Sequence, residues 1–186
     1  MKHVIIGIGA AGMTAAGTLR QMAPEDEIVM ISVDEKPHSR CMLHKYLSHE
    51  RDEDGINFVP GDFFEKNHIT QVAGERVVKL DTENKQVVCD KGTVCSYDKL
   101  LIATGAESFI PPVGALRTAP NVFGLRHLSD AKACTEGSDY WFWSGGTGCS
   151  LRPSGTEKRN CDCRNGGENP SHSVGRNGSS PVSEAV

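Results

Sequence analysis

The chain opens on a short apolar run, Val4-Ile5-Ile6, interrupted at once by Gly7, Gly9 and Gly12. A run of this length bounded by turn residues reads as a buried strand. Ala15, Ala16, Leu19 and Met22 follow and predict a helix with one apolar stripe, which Pro24 stops. Residues 28–33 form a second apolar run and predict a second buried strand, with Asp34 and Glu35 at its carboxyl end. Residues 48–55 are polar. Pro60-Gly61 precede a short helix expected over residues 62–67. The pattern then shortens. Residues 76–80, 86–89 and 93–95 read as small strands separated by Asn84-Lys85 and Lys91-Gly92, which predicts a three-stranded antiparallel meander. Residues 100–103 predict a further buried strand that ends in Thr104-Gly105, and Pro111-Pro112 begins an extended connection.

The first third of this pattern carries chemistry. A strand runs into Gly7-Ile8-Gly9-Ala10-Ala11-Gly12 and a helix follows, the layout of a dinucleotide site at the start of a βαβ unit. Gly7 permits the tight turn, Gly9 lets backbone approach a pyrophosphate, and Gly12 lets helix and strand pack closely. The free N–H groups of the helix start then face the phosphates. An acid roughly 20 residues beyond the glycines suits the ribose hydroxyls. Asp34 and Glu35 both stand there. A glycine turn without a ligand is the plainer reading; the order strand, glycines, helix, strand, acid favours the site.

With 186 residues the chain has room for one domain, or for one and part of another. With a net charge of −4, nucleic acid is not an expected partner. No apolar run is long enough to cross a membrane, and glycines interrupt the N-terminus where a leader would need its apolar stretch. A cytoplasmic protein is expected. Its 7 cysteines, an odd number, argue against a simple disulfide framework.

Three segments together resemble the FAD-dependent pyridine nucleotide-disulfide oxidoreductase family. They are the glycine loop, Tyr97-Asp98-Lys99-Leu100-Leu101-Ile102-Ala103-Thr104-Gly105, and Ser39-Arg40-Cys41-Met42-Leu43-His44-Lys45-Tyr46-Leu47. The last is similar to the flavin-facing segment of the rubredoxin reductase, nitrite reductase and NADH oxidase branches. Asn121-Val122-Phe123-Gly124-Leu125-Arg126 resembles the family's lead into its NADH domain. The resemblance covers about residues 1–133. It implies an α/β fold: a Rossmann-like FAD-binding domain with a three-layer ββα sandwich and an antiparallel meander. It also implies hydride transfer from NADH or NADPH to FAD and onward passage of electrons to an acceptor. Rubredoxin, oxygen, peroxide or nitrite are the acceptors it suggests, and the full-length family allows a homodimer.

Site residues carried over by motif are Gly7, Gly9, Ala11 and Gly12 at the pyrophosphate and Asp34 or Glu35 at the ribose. Arg40 and Lys45 fall near the cofactor, where Lys45 would stabilise a reduced, anionic flavin by charge. Ala103, Thr104 and Gly105 would approach through backbone, and Val77 would flank adenine. The plainer reading of Lys45 is a solvated surface lysine. Cys41 has two readings. It stands where NADH oxidases and peroxidases of this family hold a redox cysteine, five residues before the Tyr46-Leu47 pair, and a thiol between two cations favours the thiolate. The glycine those peroxidases place after the cysteine is absent, which leaves a plain buried thiol as the other reading. His38 and His44 read as surface or packing residues, and no spacing suggests a metal.

Past residue 133 the character changes. Over 152–186, Gly, Ser, Asn and Arg dominate and little could form a core. Cys161-Asp162-Cys163 has no partner pair for a metal. Trp141-Phe142-Trp143 stands where the family should have a second glycine fingerprint. Trp has the single codon TGG, so a one-base shift at Trp141 or Trp143 forces glycine, and Gly146 can remain glycine. The shifted frame therefore accommodates Gly-x-Gly-x-x-Gly. Shifted residues 160–163 become alternating Ile/Thr and Val/Ala, and Arg164 can become Glu: an apolar strand ending in an acid. The expected organisation is an incomplete FAD-binding domain over 1–110, a connection toward the NAD(P)H domain over 111–133, and a frameshifted or disordered remnant of that domain over 134–186. A low-complexity tail with its own role is the alternative.

Two functional readings follow. One is an FAD-dependent NAD(P)H oxidoreductase with a small molecule or small redox protein as acceptor. The other is a non-catalytic FAD-binding fragment of such an enzyme, without the NAD(P)H site and without the last segment of the discontinuous FAD domain. This chain alone is expected to be inactive. A single-domain NAD-binding Rossmann protein would leave residues 40–45 and 97–105 unexplained.

Overall fold

The computed structural model describes residues 1–110, 118, 124–135, 149–150 and 162–163. Its centre is a parallel sheet in the order β3-β2-β1-β7, formed by β1 (Lys2–Ile6), β2 (Glu27–Ser32), β3 (Ile69–Ala73) and β7 (Lys99–Ile102). His3 lies opposite Ile28 on one side and Lys99 on the other. Strands in the middle of a parallel sheet are covered on both faces, so they need apolar residues at consecutive positions. That is why Val4 and Ile5 are both fully buried, as are Met30 and Ile31.

Alternation then divides these residues between two layers. Ile5, Ile28 and Met30 pack with Ile8, Met13 and Ala16 of the helical side, where α1 (Ala10–Met22) lies. Val4, Val29 and Ile31 pack with Val87 and Cys89. Those two belong to the antiparallel meander of β4 (Val77–Asp81), β5 (Gln86–Cys89) and β6 (Val94–Ser96). Meander, parallel sheet and helix make the ββα sandwich expected from the resemblance. Lys85 and Gly92 take positive φ in the two turns between the meander strands. The short helix expected over 62–67 is α3 (Phe63–Lys66). A third cluster joins Leu43 and Leu47 of α2 (Leu43–Leu47) to Ile56, Leu125, and Ala131 and Cys134 of α4 (Leu128–Thr135).

Four details correct the sequence reading. Met22 is 79% exposed, because it lies about two and a half turns beyond buried Met13 and so on the opposite side of the helix. The buried face is Gly12, Met13 and Ala16. Among the described residues β7 is an edge rather than a buried strand: β1 is its one neighbour, and Leu101 and Ile102 are 40% and 60% exposed. Val33 lies past the end of β2 and is exposed. Finally, β3 went unforeseen, since Thr70 and Gln71 break its apolar run.

Arg20 fixes the far end of α1. Its guanidinium donates to the carbonyls of Asn67, Pro24, Asp26 and His68 at 2.6–3.1 Å, tying the helix to the entry of β3. Beyond residue 135 the described residues form a two-stranded pairing of β8 (Cys149–Ser150) with β9 (Asp162–Cys163). The Trp141-Phe142-Trp143 cluster, most of the 111–133 connection and the rest of the expected remnant lie outside the described residues. Among the described residues, no helix is long and apolar enough to cross a membrane.

Candidate functional site

The carboxyl ends of β1, β2 and β7 meet at the glycine loop. Gly7 has φ +111°, and a Cβ there would stand 2.4 Å from the Ala103 carbonyl oxygen. A Cβ on Gly12 would stand 2.0 Å from the Gly7 carbonyl oxygen. Neither position can carry a side chain without moving backbone. The loop is held from both sides: Gly7 N–H donates to Ile31 O, and Ala103 N–H donates to Ile6 O, both at 2.8 Å.

Gly9 differs. Nothing lies within 4 Å of the Cβ it lacks. It is the extended N-cap of α1, with no side-chain cap and no acid in the first turn. Met13 N–H is the first to reach back along the helix, to Gly9 O. The amides of Ala10, exposed Ala11 and Gly12 are therefore left without helical partners, and the dipole gives that end a positive potential. Open space in front of Gly9, walled by positions that exclude side chains, fits a pyrophosphate.

The structure separates the two acids. Glu35 turns toward Gly74, whose added Cβ would meet Glu35 Cγ at 3.8 Å. Asp34 is largely buried within a charged cluster. His127 Nδ1 and Asp34 Oδ1 are 2.8 Å apart, and Arg40 Nη2 lies 3.8 Å from Asp34 Oδ2. Arg126 Nη2 donates to Thr104 O at 3.1 Å. Two guanidinium groups converge on Gly105, which has φ +69°: its added Cβ would lie 3.0 Å from Arg126 Nη2 and 3.7 Å from Arg40 Nη1. Arg126 Nε is buried with no hydrogen-bond partner among the described residues; its nearest acid, Glu107, is 3.7 Å away. Asp130 orders the segment by accepting from the backbone N–H of both Arg126 and His127, at 2.9 and 2.7 Å.

These contacts set the charges. Burial pushes the Asp34 carboxyl up, but the His127 hydrogen bond and the charges of His127, His38 and Arg40 outweigh it and hold the group below the usual range. The hydrogen bond to Asp34 holds His127 above its ordinary value despite burial, aided by the charges of Asp34 and Asp130. Burial and the neighbouring Arg126 push Arg40 below its ordinary value. The cluster presents an ionised acid beside two arginines.

The remaining expected residues are dispersed. Val77 opens β4 and packs on the meander side of the sheet. The Lys45 ammonium pairs with Glu50. Cys41 is exposed, in a short 3-10 turn over Arg40–Met42, which corrects the buried-thiol reading. His38 is a buried packing residue whose Nδ1 donates to Lys36 O, and its Nε2 has no partner among the described residues. Burial and Glu75 push the Cys89 thiol up to about 11. No cluster among the described residues could hold a metal. Sequence reading missed the roles of His127 and Asp130. Arg126 was noticed only as part of a lead into the next domain.

The description "Pyridine nucleotide-disulphide oxidoreductase" belongs to the family model that matches residues 1–139. A NADH oxidase of Methanocaldococcus jannaschii is 33% identical over 140 residues, covering 72% of this chain and 31% of the relative. Rhodocoxin reductase of Rhodococcus erythropolis is 34% identical over 138 residues, covering 73% of this chain and 32% of the relative. Among solved structures, NADH:rubredoxin oxidoreductase of Clostridium acetobutylicum superposes with a TM-score of 0.60 at 29% identity, covering 73% of this chain and 35% of that one. The chain thus spans about a third of the length of these relatives. Glycine loop, carboxyl-end acid, sandwich and family match agree: this chain belongs to the pyridine nucleotide-disulphide oxidoreductase family.

Proposed function

We propose that residues 1–110, joined by the Arg126-His127 segment, bind FAD, and that the activity of the lineage is hydride transfer from NADH or NADPH to FAD, with electrons passing on to a small molecule or small redox protein. The open space at Gly9, between two glycines that exclude side chains, carries this reading. Gly7, Gly9, Ala11 and Gly12 form the pyrophosphate cradle. Asp34, rather than Glu35, receives the ribose hydroxyls. Arg40 and Arg126 bring positive charge over Thr104-Gly105, where an anionic cofactor would be neutralised. FAD, when bound, supplies the hydride acceptor. Relatives named rhodocoxin reductase and NADH-rubredoxin oxidoreductase support a small redox protein as acceptor. Lys45 would supply charge toward the cofactor once released from Glu50, and exposed Cys41 is the one thiol of the 39–47 segment available for redox chemistry.

A second reading concerns the chain itself. The family match ends at residue 139, next to the segment whose shifted codons accommodate a second glycine fingerprint. Residues 134–186 would then be a frameshifted remnant of the NAD(P)H domain, and this chain a non-catalytic FAD-binding fragment. Flavin absorbance after incubation with FAD separates a binder from an empty fold. Bleaching of that absorbance by NADH separates an enzyme from a binder. The fragment reading expects FAD uptake that is lost on dialysis and no bleaching; rapid bleaching would overturn it. Sequencing the gene tests the shift directly, since the idea fails if no one-base change restores an open frame.

A further inference from the structure

We propose that His127 is a positioning residue for the adenosine half of the cofactor, holding one oxygen of Asp34 so that the other is presented to the ribose hydroxyls. The inference rests on the FAD reading. A carboxylate that selects a diol must be fixed as well as ionised, and that requires a partner that is itself fixed. His127 meets that requirement. Asp130 holds the backbone N–H groups of Arg126 and His127. Arg126 is tied to Thr104 O, and Ala131 and Cys134 of α4 are buried against Leu43 and Leu47. The imidazole therefore reaches Asp34 from a segment anchored independently of β2. Its Nδ1 engages Oδ1 at 2.8 Å, while Oδ2 faces Arg40 at 3.8 Å, too long for a hydrogen bond. Among the described residues Oδ2 thus keeps its lone pairs open, on the side of the cluster bordered by Arg40. Glu107 stands 4.0 Å from Nε2 and does not compete for Nδ1.

The test is a double-mutant cycle on FAD affinity in the full chain, with FAD fluorescence as the readout. We expect His127→Ala to weaken FAD binding about tenfold. His127→Asn, whose amide can donate from nearly the Nδ1 position, should restore most of it. In an Asp34→Asn background, His127→Ala should change affinity less than about twofold, because its effect passes through Asp34. NMR titration without cofactor adds an independent readout: the His127 imidazole should titrate above its ordinary range, and Asp34→Asn should lower it. A wild-type chain that takes up no FAD overturns the flavin reading and this inference with it. FAD binding equal in wild type and His127→Ala, or losses that simply add across the cycle, overturn this inference and leave the flavin reading standing.

Discussion

The two ends of the proposed FAD site are built from different materials. The phosphate end is backbone: glycines whose missing side chains create a turn, a close approach and an opening. The adenosine end is side chains: Asp34 meets His127 across 93 residues of sequence, with Arg40 and Arg126 around them. A backbone cradle is fixed by sterics and is indifferent to pH. A side-chain cluster depends on charge and on the docking of a distant segment. The first fails by collision and the second by titration.

The largest effect expected is at the cradle. Gly12→Val sets a side chain 2.0 Å from a carbonyl oxygen, so it should cost more than about 3 kcal/mol in urea denaturation or prevent folding outright. Gly9→Ala, with open space and φ −74°, should leave stability within about 1 kcal/mol of wild type. Equal destabilisation by both would break the distinction between a packing glycine and a ligand-facing one.

The sheet offers a similar contrast one step smaller. Ile5→Ala removes a fully buried side chain between sheet and helix and should cost about 2–5 kcal/mol. Ile102→Ala, on the exposed edge strand, should cost about 0.5 kcal/mol or less. Chemical denaturation of the two variants side by side checks this.

The adenosine end should give a smaller effect than Gly12→Val or Ile5→Ala, and one that varies with pH. His127 titrates above its ordinary 6.5 when folded, so its contribution is complete below that value and fades as pH rises through the raised folded value. Asp34 titrates below its ordinary 3.8, so its contribution is present above 3.8 and fades as pH falls through the lowered folded value. The pair should therefore stabilise most between these ordinary values, by about 1 kcal/mol. Wild type should exceed His127→Asn by more at pH 5.5 than at pH 8.5; a constant difference would contradict the pairing.

Legibility in the sequence follows the same divide. The cradle was readable because each glycine answers a local steric demand, and the meander because its turns carry Asn84-Lys85 and Lys91-Gly92. The choice between Asp34 and Glu35 was not readable, since it depends on which side chain a distant histidine meets. β3 was missed because polar Thr70 and Gln71 lie on a strand that pairs, among the described residues, with β2 alone. Met22 was assigned to the wrong side because phase along a helix is set by what the helix packs against.

The most direct test of the central claim is titration of the full chain with FAD, wild type against Gly9→Ala. A cradle for the pyrophosphate predicts saturable binding by wild type and at least about tenfold weaker binding by a variant of equal thermal stability. A flat wild-type titration, or identical curves for the two proteins, would contradict it.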